Sequence, residues 1–210
     1  MKPKNASRQL LKRLNIYLDY LKTLPDNVIN ISATAIARAL DLGDVQVRKD
    51  LARVSAGGQR RIGHNRQNLI LDIESFLDLS SVTQAILVFS GKPGAALLEY
   101  PGFEKYALRL QAGFDLQYVP GEDSPECPIF PIEELETYCA SHNIRIGLIA
   151  VPAKQAQQVC DRLCKCGIRA VWNFSSALLI APDSVAVRNE NLTASATALR
   201  IQLQEQQQKT

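Results

Sequence analysis

Leu11, Leu14, Leu18 and Leu21, with Tyr17 beside them, recur at helical spacing and predict an amphipathic helix from Arg8 to Leu24, ended by Pro25-Asp26-Asn27. Ile36, Ala37 and Leu40 share one face of a second short segment, which Ser32 is placed to cap through its hydroxyl. After a turn containing Gly43, Val47 and Leu51 repeat the pattern in a third. Two brief helices joined by a glycine-containing turn, with cations on the second, have the form of a helix-turn-helix. Leu69, Ile70, Ile73 and Phe76 predict a closing helix over Gln67 to Leu79.

From Val82 the pattern changes. Apolar runs at Ala85–Phe89, Leu108–Phe114, Arg145–Val151 and Ile168–Asn173 read as strands. Between them, helical patterns begin near Pro93 (through Ala95, Ala96, Leu97 and Leu98) and span Ile132–Ser141 and Ala153–Cys166. Such alternation predicts a parallel sheet covered by helices on both faces, a Rossmann-like arrangement with its ligand at the C-terminal strand ends. Leu192, Ala196, Leu199 and Leu203 mark a last helix over Asn191 to Leu203, beyond which a glutamine-rich end should fray. Its apolar face calls for cover, either by a second subunit or by its own domain.

The fold class expected is therefore α/β: a winged-helix domain over residues 1–80, a Rossmann-like nucleotide-binding domain over 81–190, and a C-terminal dimerisation helix over 191–210. A length of 210 residues accommodates this. Neither a membrane-span-length apolar run nor the apolar core of a secretion signal is present in the sequence, so cytoplasm is the expected location and no membrane partner is expected. Charge sharpens the division. Residues 1–66 carry 13 Lys/Arg against 5 Asp/Glu, or +8, and residues 67–210 carry 11 against 16, or −5. A basic head on an acidic body suits binding to double-stranded DNA.

In such a head the second helix of the pair enters the major groove, which leaves Gln46, Arg48 and Lys49 to meet base edges or phosphates. Ser55 to Gly63, rich in glycine and carrying Arg60 and Arg61, reads as a two-stranded wing reaching the backbone or minor groove. In the body, the first strand-to-helix turn is Phe89-Ser90-Gly91-Lys92-Pro93-Gly94. Set against G-x-G-x-x-G, Gly91 would admit a pyrophosphate and Gly94 close helix–strand packing, with Lys92 adding charge. Phe89 stands where the first glycine belongs and puts a ring where that turn ordinarily has no side chain. Asp115, at the end of the second strand, has the spacing of a carboxylate that holds a ribose hydroxyl. Pro152 and Asn173 follow later strands, where the floor of a nucleotide site would lie. Five cysteines, at 127, 139, 160, 164 and 166, read as reduced and structural rather than as a zinc site, so no metal is expected. His142, the one histidine of the body, precedes a strand rather than following one, which argues against an enzyme.

These motifs, in this order, resemble the Rex family of redox-sensing transcriptional repressors from about Arg8 to Leu203. The similarity rests on Arg13-Leu14, Tyr17-Leu18, Val-Gln-Val-Arg-Lys-Asp-Leu at 45–51, Arg61-Ile62-Gly63 and Ala96-Leu97-Leu98-Glu99-Tyr100. Gly113-Phe114-Asp115, Val151-Pro152, Gly167-Ile168, Asn173-Phe174 and Asn191-Leu192 complete it. The resemblance implies a homodimer with a C-terminal helix exchanged between subunits, NAD(H) as cofactor, and an operator bound with NAD⁺ and released with NADH. It assigns Gln46, Arg48 and Lys49 to the recognition helix, Arg60 and Arg61 to the wing, and Gly91, Gly94 and Asp115 to the dinucleotide. The chain departs from the family where Gln117 replaces the second acid of an acid-x-acid pair. It departs again where an Arg–Tyr–Asp switch becomes Asp19, Tyr100 and Asn191, which removes an ion pair. The alternatives are a regulator of the same fold that has lost dinucleotide sensing or answers to another nucleotide or an acyl-CoA, and a small nucleotide-dependent enzyme.

Overall fold

The computed structural model describes residues 6–59, 61–121, 127–190 and 192–208. The chain divides into two compact units, 1–81 and 82–210.

The first unit opens with α1 (Arg8–Thr23), capped by Ser7, whose hydroxyl accepts from Leu10 N at 3.2 Å. Leu10, Leu14, Tyr17, Leu18 and Leu21 turn inward, so Leu10 rather than Leu11 completes the stripe. Next come β1 (Asn30–Ile31), α2 (Ala33–Ala39) and α3 (Asp44–Val54). Ser32 caps α2 as expected, accepting from Ala35 N at 3.0 Å. β2 (His64–Asn65) pairs antiparallel with β1, and α4 (Arg66–Phe76) closes the unit. Ile36, Val47, Leu51, Leu69 and Ile73 meet the α1 stripe in one core. The buried Arg66 ties α4 to the turn after α1, donating to Leu24 O at 2.5 Å and to Asp26 at 2.7 Å.

The second unit holds β3 (Thr83–Phe89), α5 (Lys92–Ala95), α6 (Gly102–Lys105), β4 (Leu108–Asp115) and β5 (Ile129–Pro131). After a 3₁₀ turn come α7 (Leu135–Ser141), β6 (Ile146–Ala150), α8 (Ala153–Lys165), β7 (Ala170–Asn173), β8 (Ala186–Asn189) and α9 (Leu192–Gln208). The strands form one parallel sheet in the order β5-β4-β3-β6-β7-β8. The chain starts in the middle, runs outward one way and then the other. The order reverses between β3 and β6, where open α/β sheets form their ligand crevice. Ile86 and Val88 of β3 join a core with α7 and α8, while Ala85, Leu87 and Phe89 join another on the opposite face with Leu98 and Phe103. Burial on both faces explains why β3 reads as a continuous apolar run.

Three expectations change. The helix expected after Pro93 is two four-residue helices, α5 and α6: past Ala95 the chain tightens into i→i−3 bonds, Leu97 N to Gly94 O at 3.0 Å and Leu98 N to Ala95 O at 2.9 Å, and Pro101, without an N–H, starts α6 anew. The short edge strands β5 and β8 went unpredicted; Ile-Phe-Pro and Ala-Val-Arg-Asn are too brief for a period to register. The tail does not fray at Leu203, since glutamine and glutamate are good helix formers and α9 runs on to Gln208. Along α9 every described side chain is exposed, including Leu199, Ile201 and Leu203.

Candidate DNA-reading helix and nucleotide crevice

In the first unit α3 is anchored from within by a carboxylate. Asp50 lies on the inward stripe with Val47 and Leu51 and is 3% exposed. It accepts from Arg13 Nε at 2.6 Å and Nη2 at 3.0 Å, from Tyr17 Oη at 2.9 Å and from Gln46 Nε2 at 2.8 Å. Burial alone pushes the Asp50 carboxyl up, but the bonds from Arg13, Tyr17 and Gln46 outweigh it and hold it below the usual range. Burial and donation to Asp50 push the Tyr17 phenol up to about 12. Sequence reading missed Asp50. The available signal was an acid at an apolar-face position, which must find partners when buried.

The outward side of α3 carries the expected cations. The Arg48 side chain is 64% exposed, with Nη2 2.9 Å from Asp44 and 3.2 Å from Thr34 Oγ1. Lys49 is exposed. Gln46, also exposed, was expected to be free; its amide is instead fixed by Asp50. The wing is shorter than foreseen. Gln59 and Gly63 exchange backbone bonds of 2.8 and 2.9 Å around a turn that holds Arg61 exposed, at φ 69°. Gly63 lies at φ +88°, and a Cβ there would stand 2.4 Å from Ile31 O, so only glycine lets the wing return against β1. A groove of about 390 Å³, lined by Arg48, Ser55, Gly58 and His64 among others, separates α3 from the wing. Arg60 and Asn191 lie outside the described residues.

In the second unit, Phe89 corrects the sequence reading. It is the last residue of β3, in register with Asp115 and Ala150, and its side chain is 1% exposed in the core. The ring therefore leaves the turn by packing into the sheet's own core. Glycines make room for it: a Cβ on Gly94 would stand 2.4 Å from Phe89 Cβ, and one on Gly113 2.9 Å from Phe89 Cε1. Gly91 follows at φ +70°, and a Cβ there would meet nothing within 4 Å. The loop's open side thus faces a cleft of about 220 Å³ lined by Phe89, Gly91, Lys92, Asp115, Tyr118 and Ile129, among others.

The structure therefore brings Gly91, Lys92 and Asp115 together, with Gly94 behind them. Asp115 Oδ1 accepts from Gln117 N at 2.9 Å, which fixes the carboxylate at the end of β4. Pro152, exposed, caps α8 two residues past the end of β6. Asn173 is fully buried, and its amide is consumed internally by Ala177 O, Asn189, Ser175 N and Ser175 Oγ at 2.7–2.9 Å. That side chain shapes the loop after β7 rather than facing a ligand. Tyr100 is 55% exposed and edge-on to Phe103 at 5.1 Å, which stands 5.6 Å from Trp172. Asp19 sits on α1, half-buried. Burial pushes the thiols of Cys139 and Cys160 up to about 12 and that of Cys127 to about 11. Among the described residues no group of three or more His, Cys, Asp or Glu is placed to hold a metal, and no helix is long and apolar enough to cross a membrane.

Two family models match, "Putative DNA-binding protein N-terminus" over residues 6–52 and "CoA binding domain" over residues 81–177. The redox-sensing transcriptional repressor Rex of Treponema denticola is 34% identical over 204 residues, covering 96% of this chain and 97% of that protein. The crystal structure of RSP in complex with β-NAD⁺ and operator DNA is similar with a TM-score of 0.86 at 30% identity, over 97% of this chain and 95% of the other. RSP in complex with β-NADH gives 0.84 at 29% identity, over 96% of each chain. Identity at this level, sustained from end to end, settles the relationship: the chain belongs to the Rex family of redox-sensing transcriptional repressors.

Proposed function

We propose that this chain is a homodimeric operator-binding repressor that reports the NADH/NAD⁺ balance, acting in the cytoplasm without catalytic turnover. Residues 1–80 form the DNA-binding domain, 81–190 the dinucleotide domain and 191–210 the dimerisation helix. Arg48, Lys49 and Gln46 engage the major groove, and Arg60 and Arg61 the backbone beside it. Leu199, Ile201 and Leu203, exposed on α9, are covered by the partner subunit, with the helix exchanged between protomers.

The observation that carries the sensing half is the burial of Phe89. With its ring in the core, the loop keeps an unfilled cradle at Gly91, which fits a pyrophosphate despite the missing first glycine. Lys92 supplies charge there and Asp115 accepts from a ribose hydroxyl. Pro152 lines the floor past β6. The likeness to RSP, whose structures include complexes with β-NAD⁺ and operator DNA and with β-NADH, supports the same pair of ligands. When bound, the dinucleotide supplies a redox-dependent contact; NADH favours the arrangement released from DNA, and Tyr100 lies on the switch. Asp19 and Asn191 replace charged partners of that switch, so the coupling between cofactor and operator is reduced.

The test is operator affinity measured with NADH and NAD⁺ titrated separately. Weaker binding with NADH than with NAD⁺ is expected. Equal affinity with both removes the sensing role, and binding that ignores sequence removes the repressor role.

A further inference from the structure

Gln46 has an amide whose two ends are not interchangeable. Its Nε2 donates to Asp50 Oδ1 at 2.8 Å, one helical turn along α3. Asp50 is buried and also receives Arg13 and Tyr17, so it is held as a carboxylate. An ionised carboxylate only accepts hydrogen bonds. Turning the amide over would set Oε1 against a carboxylate oxygen, two acceptors with no proton between them. Oε1 is therefore fixed away from Asp50. Gln46 itself is exposed in the first turn of α3, the part of a groove-bound helix that meets base edges.

We infer that Asp50 is a positioning residue that makes Gln46 a one-way reader of adenine. With one N–H committed to Asp50, Gln46 presents a carbonyl acceptor and its remaining N–H. That pair matches adenine, which offers a donor at N6 and an acceptor at N7. Guanine offers acceptors at both O6 and N7, so it leaves Oε1 facing another acceptor. The inference rests on the proposed placement of α3 in the major groove and goes beyond it by naming the base and the residue that enforces the choice. A purely structural Asp50 would affect stability and leave base preference untouched.

The experiment is in vitro selection from a duplex pool with randomised, two-fold symmetric half-sites, using the full-length protein, Gln46→Ala and Asp50→Asn. The wild type is expected to enrich adenine at one position of each half-site by on the order of tenfold over guanine. Gln46→Ala should lose that preference and no other. Asn at position 50 can donate as well as accept, so Asp50→Asn lets the amide turn over, and the same position should relax to adenine or guanine. Should Asp50→Asn not fold, Gln46→Ala, whose side chain lies on the surface, still decides whether Gln46 reads adenine, without which the inference falls. If the position it relaxes is guanine in the wild type, or if it selects the same sites as the wild type, the inference falls alone. A folded Asp50→Asn with an unchanged adenine preference also overturns it. A wild type that enriches no sequence overturns the inference and the repressor reading together.

Discussion

α3 and the loop after β3 are positioned by opposite physics. α3 hangs on charge: one buried carboxylate gathers a guanidinium, a phenol and an amide from two helices. The crevice is set by volume: one buried ring fills the space that Gly94 and Gly113 leave open. A polar anchor fixes direction, because each of its bonds has a donor and an acceptor. A packed ring fixes distance, because overlap rises steeply and attraction does not. The proposed reading of base edges by α3 calls for the first, and the proposed phosphate cradle at Gly91 calls for the second.

The largest effect should come from the crevice. Phe89→Ala is expected to cost about 3–5 kcal/mol in denaturant unfolding, the range for emptying a buried aromatic site. Gly113→Ala should cost about 1–3 kcal/mol through overpacking, and less in the Phe89→Ala background, which removes the Cε1 that its Cβ would meet at 2.9 Å. Additive losses in that cycle would mean that ring and glycine do not share space.

Next in size is the head. Arg13→Ala strands Asp50 and should cost about 3 kcal/mol. The pH dependence separates the two regions. The Asp50 pKa is lowered on folding, so its contribution is complete above the unfolded value of about 4 and is lost as pH falls through the lower folded value. Asp50→Asn should therefore flatten the acid limb of a stability–pH profile, whereas Phe89→Ala should lower the whole curve without changing that slope. An unaltered acid limb in Asp50→Asn would count against the charge-anchored picture.

The smallest effect belongs to Glu136 and Arg162, joined by two bonds of 2.7 Å between α7 and α8 on the surface. Glu136→Ala should cost no more than about 1 kcal/mol, and less as salt is added. A loss as large as that of Arg13→Ala would show that exposure does not separate the two pairs.

Much of this organisation was legible in the chain. The stripe of α1, the Ser32 cap, the cations on α3 and the strand–helix alternation are local patterns, each fixed by a period or a single side chain. Their order also carried the family likeness. The errors fall where a residue's role depends on something distant in sequence. Phe89 was read as an obstacle because its motif is written along the chain, whereas the space for its ring lies on α5 and β4. Asn173 was read as facing a ligand, although residues as far along as Asn189 take up its amide. Asp50 drew no notice, since its principal partner, Arg13, lies 37 residues away.

The sequence by itself determined the long helices and the four central strands, which end is basic, and where glycine permits a turn, because periodicity, charge and backbone freedom are properties of neighbouring residues. Only the tertiary structure decided that a phenylalanine can replace a glycine without closing the loop and that a buried acid sets the direction of a glutamine. Space and hydrogen-bond partners belong to residues brought together by folding, and a linear pattern does not record who they are.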